Sequence, residues 1–460
     1  MLQPATRPAD SRIVVLGGGV GGLTATRELD RLLRRAQRSA AEVLLVSREN
    51  FFVLPPLLFE ACSGVLELRH CAQPIRPCLR GARFLEAIVQ GVDVERRVVH
   101  ALGAEGVEHA LPYEHLVVAL GASTQTALIP GSAHALTFKS VADALRLRNH
   151  LLGCFERAEA ERNPARRRQL LTLVMIGGGL VGVELLGELT AFTRDVLRYY
   201  PGIAPDEPRF HLYEGGERLL RESTPFLGAY AARVLQARGA QLHVATRVLG
   251  IEPGRVRAPD GDVEAGTVVL VSGIRPSEVS ATVAVTRDRQ GRIVTDASLR
   301  SVSHPEVWAI GDCASVPDPT GKPYSALAQN AVREGRAVAR NLVAARAGHR
   351  PARFVHRSLG TMVALGHRQA AVHARRLHLT GFLAWWIRRT YYLFQMPRWD
   401  TRLRIALDWT VALLFRPDPS KVEVLPEHAL WAASREPAAP PPPAALPGGI
   451  GMPSPAPGHG

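Results

Sequence analysis

The chain carries one motif twice. In S-R-I-V-V-L-G-G-G-V-G-G, an apolar run leads into Gly17, Gly19 and Gly22; in L-T-L-V-M-I-G-G-G-L-V-G-V-E, the same spacing returns as Gly177, Gly179 and Gly182. A helical pattern follows each copy, T-A-T-R-E-L-D-R-L-L-R-R and E-L-L-G-E-L-T-A-F-T-R-D-V-L. Apolar run, glycine turn and helix in that order open a βαβ unit. The first glycine permits the tight turn, the second lets backbone approach a pyrophosphate, and the third lets helix pack on strand. The helix N-terminus attracts the phosphates. The repeat therefore predicts an α/β fold with two Rossmann-like dinucleotide-binding domains.

Two loops imply two dinucleotides, a combination suited to electron transfer between a nicotinamide and a flavin. The strand R-F-H-L-Y-E ends in Glu214. A carboxylate there accepts hydrogen bonds from the adenosine ribose and repels a 2′-phosphate, which favours NADH over NADPH. The stretch from Gly182 to Glu214 is longer than usual, which predicts an insertion near Tyr199–Pro208. Strands near Gln241–Ala245, Arg255–Arg257 and Thr267–Val271 complete this second domain. In the first, the strand A-E-V-L-L-V runs into Ser47, Arg48 and Glu49. Serine stands where an acid is expected, and either Ser47 or Glu49 serves the ribose. Further on, V-W-A-I-G-D-C-A sets Asp312 after an apolar strand, and a long helical stretch follows.

Lys and Arg number 56 against 42 Asp and Glu, a net charge of +14 that suits nucleic acid or an anionic membrane. The C-terminal unit decides between them. Arg375, Arg376, Arg388, Arg389, Arg398, Arg402, Arg404 and Arg416 alternate with Trp385, Trp386, Tyr391, Tyr392, Phe394, Trp399 and Trp409. The apolar stretches Leu379–Ile387 and Ile405–Phe415 are too short to span a bilayer. They suit shallow insertion, with rings at the headgroups and arginines on anionic lipid; a homodimer contact is their other use. The expected partner is an anionic membrane surface, not nucleic acid. The five cysteines form no C-x-x-C, so no metal site is expected. The N-terminus carries no clear signal peptide, which puts the expected location on the cytoplasmic side of the cell membrane.

Further segments carry a family resemblance: H-L-V-V-A-L-G-A-S (115–123), V-W-A-I-G-D-C-A (307–314), L-P-P-L-L-F-E-A-C-S-G (54–64), F-K-S-V-A-D-A-L-R-L-R-N-H (138–150), Y-S-A-L-A-Q-N-A (324–331), F-V-H-R-S-L-G-T-M-V-A-L-G-H-R-Q-A-A-V (354–372) and G-F-L-A-W-W-I-R-R-T-Y-Y-L-F (381–394). With the two loops, the chain resembles the two-dinucleotide flavoprotein reductases and, within them, the type II NADH:quinone oxidoreductases over nearly all of residues 10–416. The resemblance implies FAD at the first loop, held also by Ser47, Arg48, Ala119, Gly121, Asp312, Ala328 and Gln329. It implies NADH at the second loop with Glu214. Glu184 would sit near the nicotinamide and Gln329 at the flavin and quinone site, as the catalytic pair. The implied reaction passes a hydride from NADH to FAD, then two electrons to a membrane quinone, without proton pumping.

Departures from the family pattern are Pro55 and Glu334 in place of glutamines, and His356 and His367 in place of tyrosine and arginine. His356, His367 and Glu334 are candidates for a proton route. The alternative readings are a soluble FAD-dependent NAD(P)H reductase with another acceptor and a sulfide:quinone oxidoreductase-like enzyme. Cys62, Cys71 and Cys78 lack the close C-x4-C spacing of disulfide reductases, and Cys62 and Cys313 read as small buried residues. The expected organisation is an FAD-binding domain in two parts (10–145 and 299–350) around an NAD(H)-binding domain (146–298). A membrane-associating or dimerisation unit (351–435) and a disordered Pro/Ala/Gly tail (436–460) follow.

Overall fold

Ile13, Val14, Val15 and Leu16 are all buried. Four apolar residues in a row with no exposed face suit the interior of a parallel sheet covered on both sides. The computed structural model describes residues 12–356, 360–374, 377–416 and 418–422. The expected tail and Arg375 and Arg376 lie outside them. The chain begins with β1 (Ile13–Leu16), α1 (Val20–Arg35), β2 (Val43–Ser47), α2 (Pro55–Cys62), β3 (Arg83–Asp93), β4 (Val98–Gly103), β5 (Glu108–Pro112) and β6 (His115–Val118). It continues through β7 (Leu136–Thr137), α3 (Val141–Ala160), β8 (Thr172–Ile176), α4 (Leu180–Val196), β9 (Arg209–Tyr213), α5 (Pro225–Ala237), β10 (Ala240–His243) and β11 (Thr267–Leu270). Then come β12 (Val307–Ala309), α6 (Ala328–Arg346), β13 (Thr361–Ala364), β14 (Ala370–Ala374), β15 (Leu377–Thr380), α7 (Gly381–Gln395) and α8 (Trp399–Leu414).

The first sheet has seven strands in the order β12-β6-β1-β2-β3-β4-β5. It is parallel from β12 to β3 and antiparallel beyond. The second has five parallel strands in the order β7-β11-β8-β9-β10. The chain thus leaves the first sheet after β6, builds the second, and returns as β12, where Val307 pairs with Leu116. The first dinucleotide-binding fold is interrupted by the second. In each sheet the strand before the glycine loop, β1 or β8, has neighbours on both sides reached by different routes. Its C-terminal end is the crevice where open α/β sheets bind ligands.

The residues between α4 and β9 form a short 3-10 turn (Leu197–Tyr199) and a loop that packs Tyr200 and Ile203 with Phe155 and Phe192. The antiparallel strands β13, β14 and β15 form a small sheet. Ala384 and Trp385 of α7 pack on it against Ala370 and Val372. From α8, Ile405 and Trp409 enter the main core.

Candidate active site

The two glycine loops share one geometry. Gly17 and Gly177 hold φ of +102° and +119°, conformations that a side chain resists. A Cβ on Gly22 would collide with the Gly17 carbonyl oxygen, and one on Gly182 with that of Gly177. Gly19 and Gly179 begin α1 and α4 from extended backbone without any side chain of their own as a cap. Around Gly19 a Cβ would meet nothing within 4 Å. A bare helix N-terminus with close backbone access is what a pyrophosphate needs, so this loop fits FAD.

The other expected FAD residues divide by location. Ser47 ends β2 nearly buried, and a Cβ on Gly18 would reach its hydroxyl at 2.7 Å. Ala119 follows β6 and presents its carbonyl to Gly17; Gly121 then turns the chain at φ +66°. Asp312 lies in the turn after β12. Burial raises its carboxyl against the pull of Lys139. Ala328 and Gln329 open α6, and Asp312, Tyr324, Asn330 and Glu334 line one small cleft beside them. Arg48, by contrast, is exposed and pairs with Glu49 at 3.0 Å.

Glu334 is buried and accepts the Gly311 N–H at 2.7 Å; burial pushes its carboxyl up to about 7. His356 stands near Tyr324 and Arg333, with its pKa lowered by burial. His367 occupies a turn at φ +45° near Arg194 and Arg238, apart from the other two.

At the second loop, Glu214 closes β9 and binds backbone on both sides. Its carboxylate accepts the Gly178 N–H at 2.8 Å and the Gly216 N–H at 2.7 Å. A second carboxylate went unnoticed in the sequence. Glu222 accepts the N–H of Leu180 at 2.7 Å, capping α4 where the loop would cradle phosphate. No local pattern marks it, because it reaches the helix from the loop after β9.

Glu184 is neither exposed nor a helix cap. It is 6% exposed on α4 and accepts the Ala364 N–H of β13 at 2.7 Å. Arg388 Nη2 of α7 lies 3.0 Å from the same carboxylate. Burial raises the Glu184 carboxyl, and Arg388 opposes the shift. On α2, Glu60 pairs with Arg389 at 3.2 Å and accepts the Trp409 indole N–H at 2.6 Å. Arg389 also stacks over Trp385 and Trp409, and Arg388 over Tyr392.

This differs from the expected lipid-facing role of the C-terminal arginines. Arg388 is 1% exposed and Arg389 8%, and Trp385 and Trp409 are buried with them. The acids of α2 and α4 draw both guanidiniums inward. Arg398 pairs with Asp400, and Arg402 donates to the carbonyls of Met396 and Phe394. Arg404 and Arg416 stay exposed. The outer face of α8 carries Trp399, Leu403, Leu407, Val411 and Leu414, all exposed. Among the described residues no helix is long and apolar enough to cross a membrane, and no three His, Cys, Asp or Glu are placed to hold a metal. Cys62 and Cys313 are buried and free.

Residues 11–335 match the pyridine nucleotide-disulphide oxidoreductase family. The type II NADH:quinone oxidoreductase Ndh of Mycobacterium tuberculosis is 28% identical over 429 residues, 89% of this chain and 89% of that protein. The mitochondrial internal alternative NAD(P)H-ubiquinone oxidoreductase A1 of Arabidopsis thaliana is 31% identical over 456 residues, 92% of this chain and 88% of that one. The solved NDH2 of Plasmodium falciparum in complex with NADH superposes with a TM-score of 0.82 at 19% identity, covering 90% of this chain and all of that one.

Proposed function

Since the chain belongs to the pyridine nucleotide-disulphide oxidoreductase family and, within it, to the type II NADH:quinone oxidoreductases, we propose that it oxidises NADH and passes the electrons through FAD to a quinone. The observation that carries this reading is the pair of matching glycine cradles, one at the ligand crevice of each parallel sheet. Bound FAD supplies a two-electron carrier between a hydride donor and a quinone.

The chain's own part is positioning. The α1 N-terminus and Asp312 hold the flavin dinucleotide, and the α4 loop and Glu214 hold NADH. Glu214 sets its negative charge at the end of β9, which disfavours a 2′-phosphate. Glu184, fixed by Arg388 and the Ala364 N–H, orients the nicotinamide end. Gln329 at the start of α6 serves the flavin and quinone side. The division of the chain at residues 145, 298 and 350 follows the same assignment.

The exposed stripe on α8, with Phe382, Trp386 and Phe394 of α7, supports peripheral docking on a membrane, where a quinone dissolves. Arg404 and Arg416 supply its attraction to anionic lipid. We place that membrane face on the cytoplasmic side; a second copy of the chain is the alternative occupant of the stripe.

Stopped-flow absorbance of the holoenzyme tests the reading. NADH is expected to bleach the flavin faster than NADPH, and a short-chain quinone to restore it. Equal reduction by NADPH overturns the cofactor preference, and no reoxidation by any quinone overturns the acceptor.

A further inference from the structure

Beside α1 runs a cleft of about 390 Å³, lined along most of that helix from Val20 to Arg34. The loops at Leu54 and Cys78 and one face of α6 complete it, with Gln395 and Pro397 from the turn between α7 and α8. α6 comes close because Gly335 has no side chain; a Cβ there would lie 2.6 Å from the Gly21 carbonyl oxygen. The volume falls in the range of small-molecule sites, about 300–1,000 Å³. Asp312, Gln329, Glu184 and Glu214 are not among its lining residues.

Charge in this cleft does not balance. Arg27, Arg31, Arg34, Arg80 and Arg336 line it against two acids, Glu28 and Asp30. Both acids are already engaged. Glu28 accepts two bonds from Arg31, at 2.8 and 2.6 Å, and one from Arg340 of α6 at 3.3 Å. Asp30 is buried and accepts the Arg34 guanidinium at 2.8 Å. It also accepts the backbone N–H groups of Arg80 and Gly81, at 2.7 and 3.1 Å. The acids thus act as struts: Glu28 ties α1 to α6, and Asp30 ties α1 to the loop that carries Arg80. Among the described residues, Arg27, Arg80 and Arg336 form no ion pair. Three guanidiniums without counter-charge around one cleft suit a phosphate, whose oxygens match their planar donors.

The rest of the lining points to an amphiphile. Leu23, Phe52, Leu54 and Val332 give the cleft an apolar part beside its positive one. Its place in the fold selects the source. Gln395 and Pro397 lie between Phe394, 65% exposed, and Trp399, 76% exposed, at the start of the α8 stripe. Arg27 acts on the Cys78 thiol together with Arg398, which sets the cleft's charge beside the first turn of α8. We propose that the cleft takes the headgroup of one anionic phospholipid, an inference that rests on the peripheral docking proposed above. Arg27, Arg80 and Arg336 hold the phosphate, and the apolar lining takes the glycerol and the start of the chains. Docking is then directed at a lipid species and not only at surface charge.

Cys78 supplies the reporter. It lines the cleft and is half-buried, whereas Cys62, Cys71, Cys154 and Cys313 are buried. Alkylation of the holoenzyme by iodoacetamide is read at Cys78 by mass spectrometry, with and without dihexanoyl-phosphatidylglycerol below its micellar concentration. The lipid should slow alkylation by about tenfold near saturation, and dihexanoyl-phosphatidylcholine or inorganic phosphate should not. Arg27→Gln with Arg336→Gln should lose this protection and keep the flavin spectrum. Arg162→Gln with Arg289→Gln, equal in charge but outside the cleft, should retain it. Flotation on vesicles of phosphatidylcholine and phosphatidylglycerol gives a reading independent of the thiol. There the cleft variant should bind about tenfold more weakly than its charge-matched control. No protection by the anionic lipid, or an equal loss of flotation in both double variants, overturns the site and leaves docking intact. Equal protection by phosphatidylcholine overturns the role of the arginines, and equal protection by inorganic phosphate assigns the cleft to a free anion. Protection by the monomeric lipid without flotation on any vesicle overturns docking while the site stands.

Discussion

Arg388 and Glu184 meet at 3.0 Å with both side chains buried, joining α7 of the C-terminal unit to α4, the helix that follows the second glycine loop. Removing one partner of such a pair strands the other. Arg388→Leu should therefore cost about 3–5 kcal/mol in unfolding free energy. The sign with pH follows. Burial already raises Glu184, and loss of Arg388 raises it further. Stability is then kept at low pH and lost as pH rises through the folded-state value. Thermal melts should show a deficit that grows as pH rises above the ordinary glutamate range; a deficit independent of pH would refute the coupling.

Glu222 sits on the N–H of Leu180, at the helix end proposed above to take the NADH phosphates. A carboxylate there competes with the cofactor for one donor and repels its charge. Glu222→Gln should tighten NADH binding by roughly two- to fivefold, about 0.3–1 kcal/mol. Calorimetric titration of the holoenzyme with NAD+ or NADH reads this directly, and weaker binding would show that Glu222 assists the cofactor instead.

Gly22 and Gly182 should separate the two cofactors. In each loop a Cβ would strike the carbonyl oxygen five residues earlier, so the turn must open. Gly22→Ala should purify with little flavin. Gly182→Ala should keep its flavin yet resist bleaching by NADH. The visible spectrum before and after NADH reads both outcomes, and a Gly22→Ala protein with full flavin or a Gly182→Ala protein that bleaches normally would contradict the assignment.

Glu214→Ala removes the acceptor for Gly178 and Gly216 together with the charge proposed to face the ribose. The preference for NADH over NADPH should fall by about tenfold, roughly 1.4 kcal/mol. Ratios of kcat/KM for the two nucleotides measure it.

The outer stripe of α8 should govern lipid binding. Trp399→Ser with Leu403→Ser removes two side chains whose burial in lipid is worth about 1.5–3 kcal/mol each. Vesicle flotation should drop by at least tenfold with the flavin spectrum unchanged. Retained flotation together with a smaller oligomer would assign the stripe to a second copy of the chain.

The glycine loops, their strands and the Gly-Asp turn were legible because each is a local pattern. Gly17 and Gly177 need positive φ, and β1 and residues 173–176 of β8 are apolar without interruption. The fate of Arg388 and Arg389 was not. An arginine beside tryptophan reads the same at a lipid headgroup or inside a protein, and the acids that decide it stand far away in the chain. A signal for those acids was nevertheless present. Glu60 interrupts the apolar helix P-P-L-L-F-E-A-C, and Glu184 and Glu188 interrupt V-G-V-E-L-L-G-E-L. Charges set among apolar residues on every side demand partners.

The pairing of Val307 with Leu116 also dictates an order of events during synthesis. When β6 leaves the ribosome its outer edge has no neighbour, and the strand that will cover it is not yet made. The parallel strands of the second sheet, β8 to β11, emerge entirely within that interval and can close among themselves. The nascent chain must guard an open, apolar edge until β12 arrives, which makes this the period of greatest exposure to aggregation. A ribosome that stalls before Val307 would release a product with one sheet permanently unfinished.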